Sequence, residues 1–186
     1  SGKGHCGEES TFAVTAYRSV GIAARQVYTP RWAHCDDNHA WVEVFVDGEW
    51  HFLGACEPEE VLDTGWFSGP ANRAILIHTR NFSDYVKESN EEYLGKEGAL
   101  YYFNHTDFYG RTKLVKILVK DENGKPAAGA HIAVEILNMA EFFPAAVMIA
   151  DADGEVQMTL GLGDIRVRAF DGIRRAEAMM RIEEED

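Results

Sequence analysis

Hydrophobic spacing divides the chain into three stretches. From Ser10 to about Val20, the apolar residues Phe12, Ala13, Ala16, Tyr17 and Val20 recur at helical intervals, which predicts an amphipathic helix with that face on a core. Gly21 follows as a C′ residue and Ile22 supplies the apolar contact that accompanies such caps. Val27 and Tyr28 begin an extended segment limited by Pro30. Residues 39–46 then alternate, with Ala40, Val42, Val44 and Val46 on one face and His39, Trp41, Glu43 and Phe45 on the other. Asp47 and Gly48 form a two-residue turn signal, so Glu49 to Leu53 is the return strand of a hairpin.

Residues 81–110 are polar and aromatic, with the run Glu88–Glu92 and Gly95 and Gly98 as breakers, and read as a connection carrying short helical or strand pieces. From Lys113 the pattern becomes short strands at 114–119, 131–137, 147–149, 155–160 and 164–170, with turn signals at Asn123–Gly124 and Asp153–Gly154. That spacing predicts a small all-β sandwich. The charged tail from Arg181 to Asp186 reads as frayed. The expected organisation is a first domain at 1–98, a connection at 99–111 and a β-sandwich accessory domain at 112–186.

Composition narrows the function classes. The chain has 186 residues, 18 Lys and Arg against 31 Asp and Glu, and a formal charge of −13. That balance argues against nucleic-acid binding, which relies on basic side chains neutralising phosphates. No apolar run approaches the roughly 18–20 residues of a membrane span. The three cysteines, Cys6, Cys35 and Cys56, are too few and scattered for a disulfide framework. The start at Ser1 without Met reads as a tag remnant or an internal beginning, with the rest of a larger polypeptide expected.

Two residues carry candidate chemistry. Cys6 sits just before the predicted helix, where unsatisfied N–H groups and the positive dipole end favour a thiolate. His39 opens the hairpin and is a base able to take the thiol proton. Read singly, Cys6 is as well explained as a small buried residue and His39 as a half-buried strand histidine. The group His34, Cys35, Asp36, Asp37 and His39 is ligand-rich but lacks a second clean pair, and reads as a polar loop at a cleft edge rather than a metal site. Trp32, Trp41 and Trp66 are candidates to line a substrate groove, although Trp66 and Phe67 read better as core.

Cys6 to Ser10, Tyr17 to Arg25, Asn38 to Val44 and Trp50, in that order and spacing, resemble the transglutaminase-like superfamily of papain-like thiol enzymes. Trp50 to Glu57 followed by Gly65 and Trp66 looks closest to its peptide N-glycanase branch. The resemblance implies an α+β fold, a papain-like core of a helix packed on an antiparallel sheet, followed here by the sandwich. It implies Cys6 as nucleophile and His39 as base, with no cofactor and no metal, acting on a peptide, protein or glycopeptide. The reaction it implies is thiol-dependent acyl transfer at amide or peptide bonds, with hydrolysis expected over cross-linking. The alternative is an impaired domain that binds a peptide or glycan without turning it over.

The family places an Asp at the end of the return strand, where this chain has Gly54. Glu57 is the substitute orienting group on offer, or else it caps or pairs with a nearby Arg. Relatives also draw a second oxyanion donor from upstream of the nucleophile, and only five residues precede Cys6, so the domain reads as N-terminally truncated. Trp41 and Trp32 are the expected substrate contacts. Val119 to Ala130 and Ala150 to Gly154 resemble carboxypeptidase-regulatory-like and transthyretin-like sandwiches, common in exported bacterial proteins, which implies a periplasmic or cell-surface location.

Overall fold

The structure is a computed structural model and describes residues 4–82 and 90–184. Three helices and twelve strands occur among the described residues, and the strands pair antiparallel throughout. The first helix, α1, spans Cys6–Ser19. Strands β1 (Ala24–Thr29), β2 (His39–Val46), β3 (Glu49–Leu53), β4 (His78–Phe82), β5 (Tyr93–Glu97) and β6 (Leu100–Asn104) form one sheet in the order β3-β2-β1-β4-β6-β5. Short helices α2 (Ser68–Ala71) and α3 (Thr106–Tyr109) flank it.

α1 packs on β1 and β2 through Val14, which joins Ala24, Val42 and Val44 in one apolar cluster. Ser10 and Val14 are its buried positions, whereas Phe12 and Val20 are largely exposed. The expected apolar face is therefore rotated: Ser10, a polar residue satisfied inside by hydrogen bonds, marks the true inward stripe. The helix ends as predicted. Gly21 has φ +85° and donates to the Arg18 carbonyl, while Ile22 donates to that of Tyr17, the paired bonds of a Schellman cap. The β2–β3 hairpin closes at Asp47 and Gly48, both at positive φ, with Val46 facing Glu49.

The expected connection at 99–111 holds β6 and α3, and β6 lies between β4 and β5 inside the sheet. Its alternating Tyr101 and Phe103 are buried, so one of the short pieces expected in the connection is a strand inside the main sheet. Part of the breaker run from Glu88 lies outside the described residues.

The C-terminal part contains β7 (Thr112–Leu118), β8 (His131–Asn138), β9 (Glu141–Ile149), β10 (Glu155–Gly161), β11 (Gly163–Phe170) and β12 (Arg175–Ile182). A two-stranded sheet β10-β7 and a four-stranded sheet β12-β11-β8-β9 enclose one core containing Ile132, Val134, Met158, Leu160 and Ile165. β12 has no counterpart among the expected strands: its start is exposed and polar, but Ile182, expected in a frayed tail, is buried. Glu185 and Asp186 lie outside the described residues.

The two parts interlock. Ile75 and Leu76, just before β4, insert into the sandwich core, and Gly161 donates to the Ile75 carbonyl at 2.9 Å. Glu92 accepts from both the Asn104 side chain and the Thr159 backbone.

Candidate active site

The first turn of α1 is organised by His5. Its carbonyl accepts from the Glu8 and Glu9 N–H groups, and the Glu8 carboxylate reaches back to the His5 N–H at 2.8 Å. Cys6 is the first helical residue, and its thiol is free and partly exposed. Its N–H and that of Gly7 belong to the turn where no intrahelical acceptor exists.

Gln26 of β1 fastens this turn to the sheet. Its side-chain amide donates to the Gly7 carbonyl at 2.9 Å and to Ser10 Oγ at 2.8 Å, and Ser10 donates to the Cys6 carbonyl at 2.6 Å.

His39 is the first residue of β2, paired with Thr29 of β1. Only 6 % exposed, its ring lies among Trp66, Phe67, Trp41 and Trp32, with centroids 4.8 to 6.4 Å away. Nε2 is 3.5 Å from Glu57 Oε1, within ion-pair range, but has no hydrogen-bond partner. Burial in this aromatic box holds the imidazole pKa below its usual 6.5, outweighing the opposing pull of the Glu57 and Asp37 carboxylates.

Glu57 reaches His39 because of how the chain leaves β3. A Cβ on Gly54 would sit 2.7 Å from the Glu57 carbonyl oxygen, so the backbone doubles back over a position with no room for a side chain. A side chain at 54 does not fit this path, and the carboxylate that comes within ion-pair range of His39 belongs to Glu57, three residues later. Trp66 Nε1 donates to Glu57 Oε1 at 2.5 Å and fixes it from the far side. The same loop brings Cys56 against Glu9 of α1, and Cys6 lies within electrostatic range of both Cys56 and Tyr28. Cys56 is an exposed residue, yet packing around its thiol and the Glu9 carboxylate push its pKa up to about 12. Among the described residues Cys6 and His39 are not hydrogen-bonded to each other.

The loop before His39 is held by the sandwich. Asn138, at the tip of the β8–β9 hairpin, donates to the Trp32 and Cys35 carbonyls at 2.9 Å each and accepts from the Asp37 N–H at 3.0 Å. Met139 N–H donates to Asp36 Oδ1 at 2.7 Å.

Trp41 and Trp32, expected to contact substrate, are 0 % and 2 % exposed and belong to the core behind His39. Their indoles face inward because β1, β2 and the 68–77 segment cover them, so they shape the imidazole's surroundings. Trp66, read as core, is instead 54 % exposed. Phe67 is core. Gln26 and Asn138 take parts in the site that the sequence does not suggest, and Trp66, a groove candidate there, instead holds Glu57. Only Trp66 leaves a signal there, as an aromatic beside Gly65.

Farther along the same face of β2, buried Glu43 gathers Arg25 Nε at 2.7 Å, His105 Nε2 at 3.3 Å and the Tyr109 hydroxyl, and Trp41 Nε1 donates to that hydroxyl at 2.8 Å. His105, without an evident partner in the sequence, is thus a member of a closed buried network. No group of three or more His, Cys, Asp or Glu is placed to hold a metal ion among the described residues, where no helix is long and apolar enough to cross a membrane.

Compared with known families, the chain matches the family model of the transglutaminase-like superfamily over residues 1–55 of its 186. The match includes Cys6, His39 and Gly54 and stops short of Glu57. No curated protein matches the chain.

Proposed function

We propose that this protein is a papain-like thiol enzyme that transfers acyl groups from amide or peptide bonds, with Cys6 as nucleophile, His39 as acid–base and Glu57 as orienting group. The observation that carries the reading is the 3.5 Å approach of Glu57 Oε1 to His39 Nε2. It leaves Nδ1 as the nitrogen able to serve the thiol.

The chemistry follows from these parts. The Cys6 thiol gives its proton to His39 and the sulfur attacks the carbonyl carbon, forming a C–S bond. The oxyanion takes the Cys6 N–H at the helix start. His39 returns the proton to the leaving nitrogen as the C–N bond breaks. Water, activated by the same imidazole, then splits the thioester to a free acid and restores the thiol. Water is the favoured acceptor because the stretch from Trp50 to Trp66 resembles glycanase-like hydrolases. Resting-state hydrogen bonds in such sites tighten when substrate binds, so the absence of a Cys6–His39 bond is compatible with catalysis.

A second reading, a peptide- or glycan-binding cleft without turnover, is favoured by Gly54 and by the unbonded Nε2 of His39. Iodoacetamide labelling across pH, followed by mass spectrometry, separates the two. An enzyme alkylates at Cys6 well below the free-thiol pKa of about 8.5, and loses that advantage in His39→Ala. If Cys6 labels no faster than exposed Cys35 at any pH, the nucleophile assignment falls and the binding reading takes its place. Release of ammonia against incorporation of a fluorescent amine into a glutamine-containing protein distinguishes hydrolysis from cross-linking.

A further inference from the structure

Gln26, which bonds the Gly7 carbonyl next to Cys6, has a cation as its neighbour on β4. Tyr28 of β1 lies opposite His78 of β4, and Gln26 lies opposite Arg80. The Arg80 guanidinium stacks 4.0 Å above the Tyr28 ring and 5.9 Å from that of Tyr102. Its Nε is buried without a hydrogen-bond partner, and among the described residues it meets no carboxylate.

Most other arginines here are paired: Arg25 with Glu43, Arg111 with Glu184, Arg166 and Arg168 with Glu135, Arg174 with Asp171. In a chain with 31 acidic and 18 basic residues, a half-buried guanidinium left without an acid calls for an explanation.

Arg31 approaches the same ring from the other end of β1. It bonds the Pro30 carbonyl and stacks on Phe143 of the sandwich at 4.0 Å. Both guanidiniums lie within electrostatic range of Tyr28, as do Cys6 and Asp37. Past His78, between β4, β5, β6 and β9, lies a cavity of ≈ 390 Å³ lined by His78, Lys96, Glu97, Tyr102 and Ala145 but not by Arg80. His78, itself 6 % exposed, contributes an Nδ1 with no partner. The Glu97 carboxylate accepts from the Tyr102 hydroxyl rather than from Arg80.

We infer that Arg80, supported by Arg31, forms an anion-binding subsite beside Cys6, so that the preferred substrate carries a carboxylate close to the carbonyl under attack. The inference rests on the nucleophile reading of Cys6 only for the word substrate; the subsite itself does not need turnover. Carboxylate is the fitting class because a guanidinium offers a planar fork of N–H donors to two oxygens.

A pair of small alkylating agents tests it on the full chain. Iodoacetate is an anion and iodoacetamide its neutral counterpart, so the ratio of their rates at one cysteine reports the local field. At low ionic strength the ratio at Cys6 exceeds that at exposed Cys35 by about five- to tenfold, the effect of a charge several ångströms away across a partly wet interface. Arg80→Gln brings the ratio close to the Cys35 value, Arg80→Lys restores part of it, and salt near about 0.5 M suppresses it. A ratio at Cys6 equal to that at Cys35, or one that Arg80→Gln leaves unchanged while a thermal melt shows the variant folded, overturns the subsite. If Arg80→Gln does not fold, the wild-type ratio and its salt dependence decide alone. Slow iodoacetamide labelling with a high ratio refutes the enzyme and keeps the subsite. Fast labelling at low pH with an ordinary ratio does the reverse.

Discussion

His78 makes acid stability a sharp test of the packing between β1, β4 and β6. Its ring lies 5.6 Å from Tyr28 and 5.1 Å from Tyr102, and burial, followed by the charge of Arg80, pushes its pKa down to about 3. In the unfolded chain an imidazole titrates near about 6.5. Between those two values the unfolded state binds the extra proton and the folded state does not, so stability falls as pH drops below 6.5 and the loss is complete below about 3. Each pH unit in that window costs about 1.4 kcal/mol, so moving from about pH 7 to about pH 5 removes about 2 kcal/mol through this one residue. His78→Phe keeps a ring of similar size and deletes the proton site. Urea unfolding of both proteins at those two pH values gives the difference of differences, in which any packing cost of Phe cancels. The variant should lose about 2 kcal/mol less than the wild type between the two pH values. Equal losses would mean that His78 takes up its proton without unfolding, and the account of a sealed ring would be wrong.

Other residues give readouts of different parts. Gly54→Asp, which installs the carboxylate that the resemblance implies at this position, should fail to help: overpacking against the Glu57 carbonyl costs about 1–3 kcal/mol in urea unfolding, and the displaced Glu57 slows alkylation of Cys6. Asn138→Ala strands three backbone groups of the 32–37 loop and should cost about 2–4 kcal/mol, read by thermal or urea unfolding, with hydrogen exchange at Asp37 N–H accelerated. His51 has its pKa raised by its hydrogen bond to Asp63, so it stabilises the 61–63 loop at acid pH and lets go as pH rises through that raised value. In Asp63→Asn, the His51 titration followed by NMR should shift back towards about 6.5, and an unmoved curve would dismiss the pairing.

Elements built from local rules are readable in advance. The β2–β3 hairpin follows from alternation and a two-residue turn, and the end of α1 follows from Gly21 and Ile22. The start of α1 is less visible. Ser10 is inside and Phe12 outside, because Gln26, contributed by a neighbouring strand, satisfies the polar side chain and reverses the usual ranking. β12 and the place of β6 inside the main sheet are not legible for a related reason: a strand at an edge, or one whose partners are distant, carries little signal of its own.

The same division holds at the site. The order of residues locates the two proposed ends of the chemistry, a cysteine where a helix begins and a histidine where a strand begins, since caps and alternation are set by neighbours a few residues away. It also shows a glycine, Gly54, at the position where the resemblance implies an Asp. Which carboxylate comes near His39 is a matter of packing, because Glu57 approaches it after the backbone folds over Gly54. Packing also sets Trp32 and Trp41 behind the imidazole, while Trp66 stands at the surface and holds Glu57. Asn138, about a hundred residues downstream, fixes the loop before His39 by the same means, and Arg80 comes to lie over Tyr28 with no described acid to meet it. Charge, desolvation and hydrogen bonding act through distance in space, and distance along the chain says little about them.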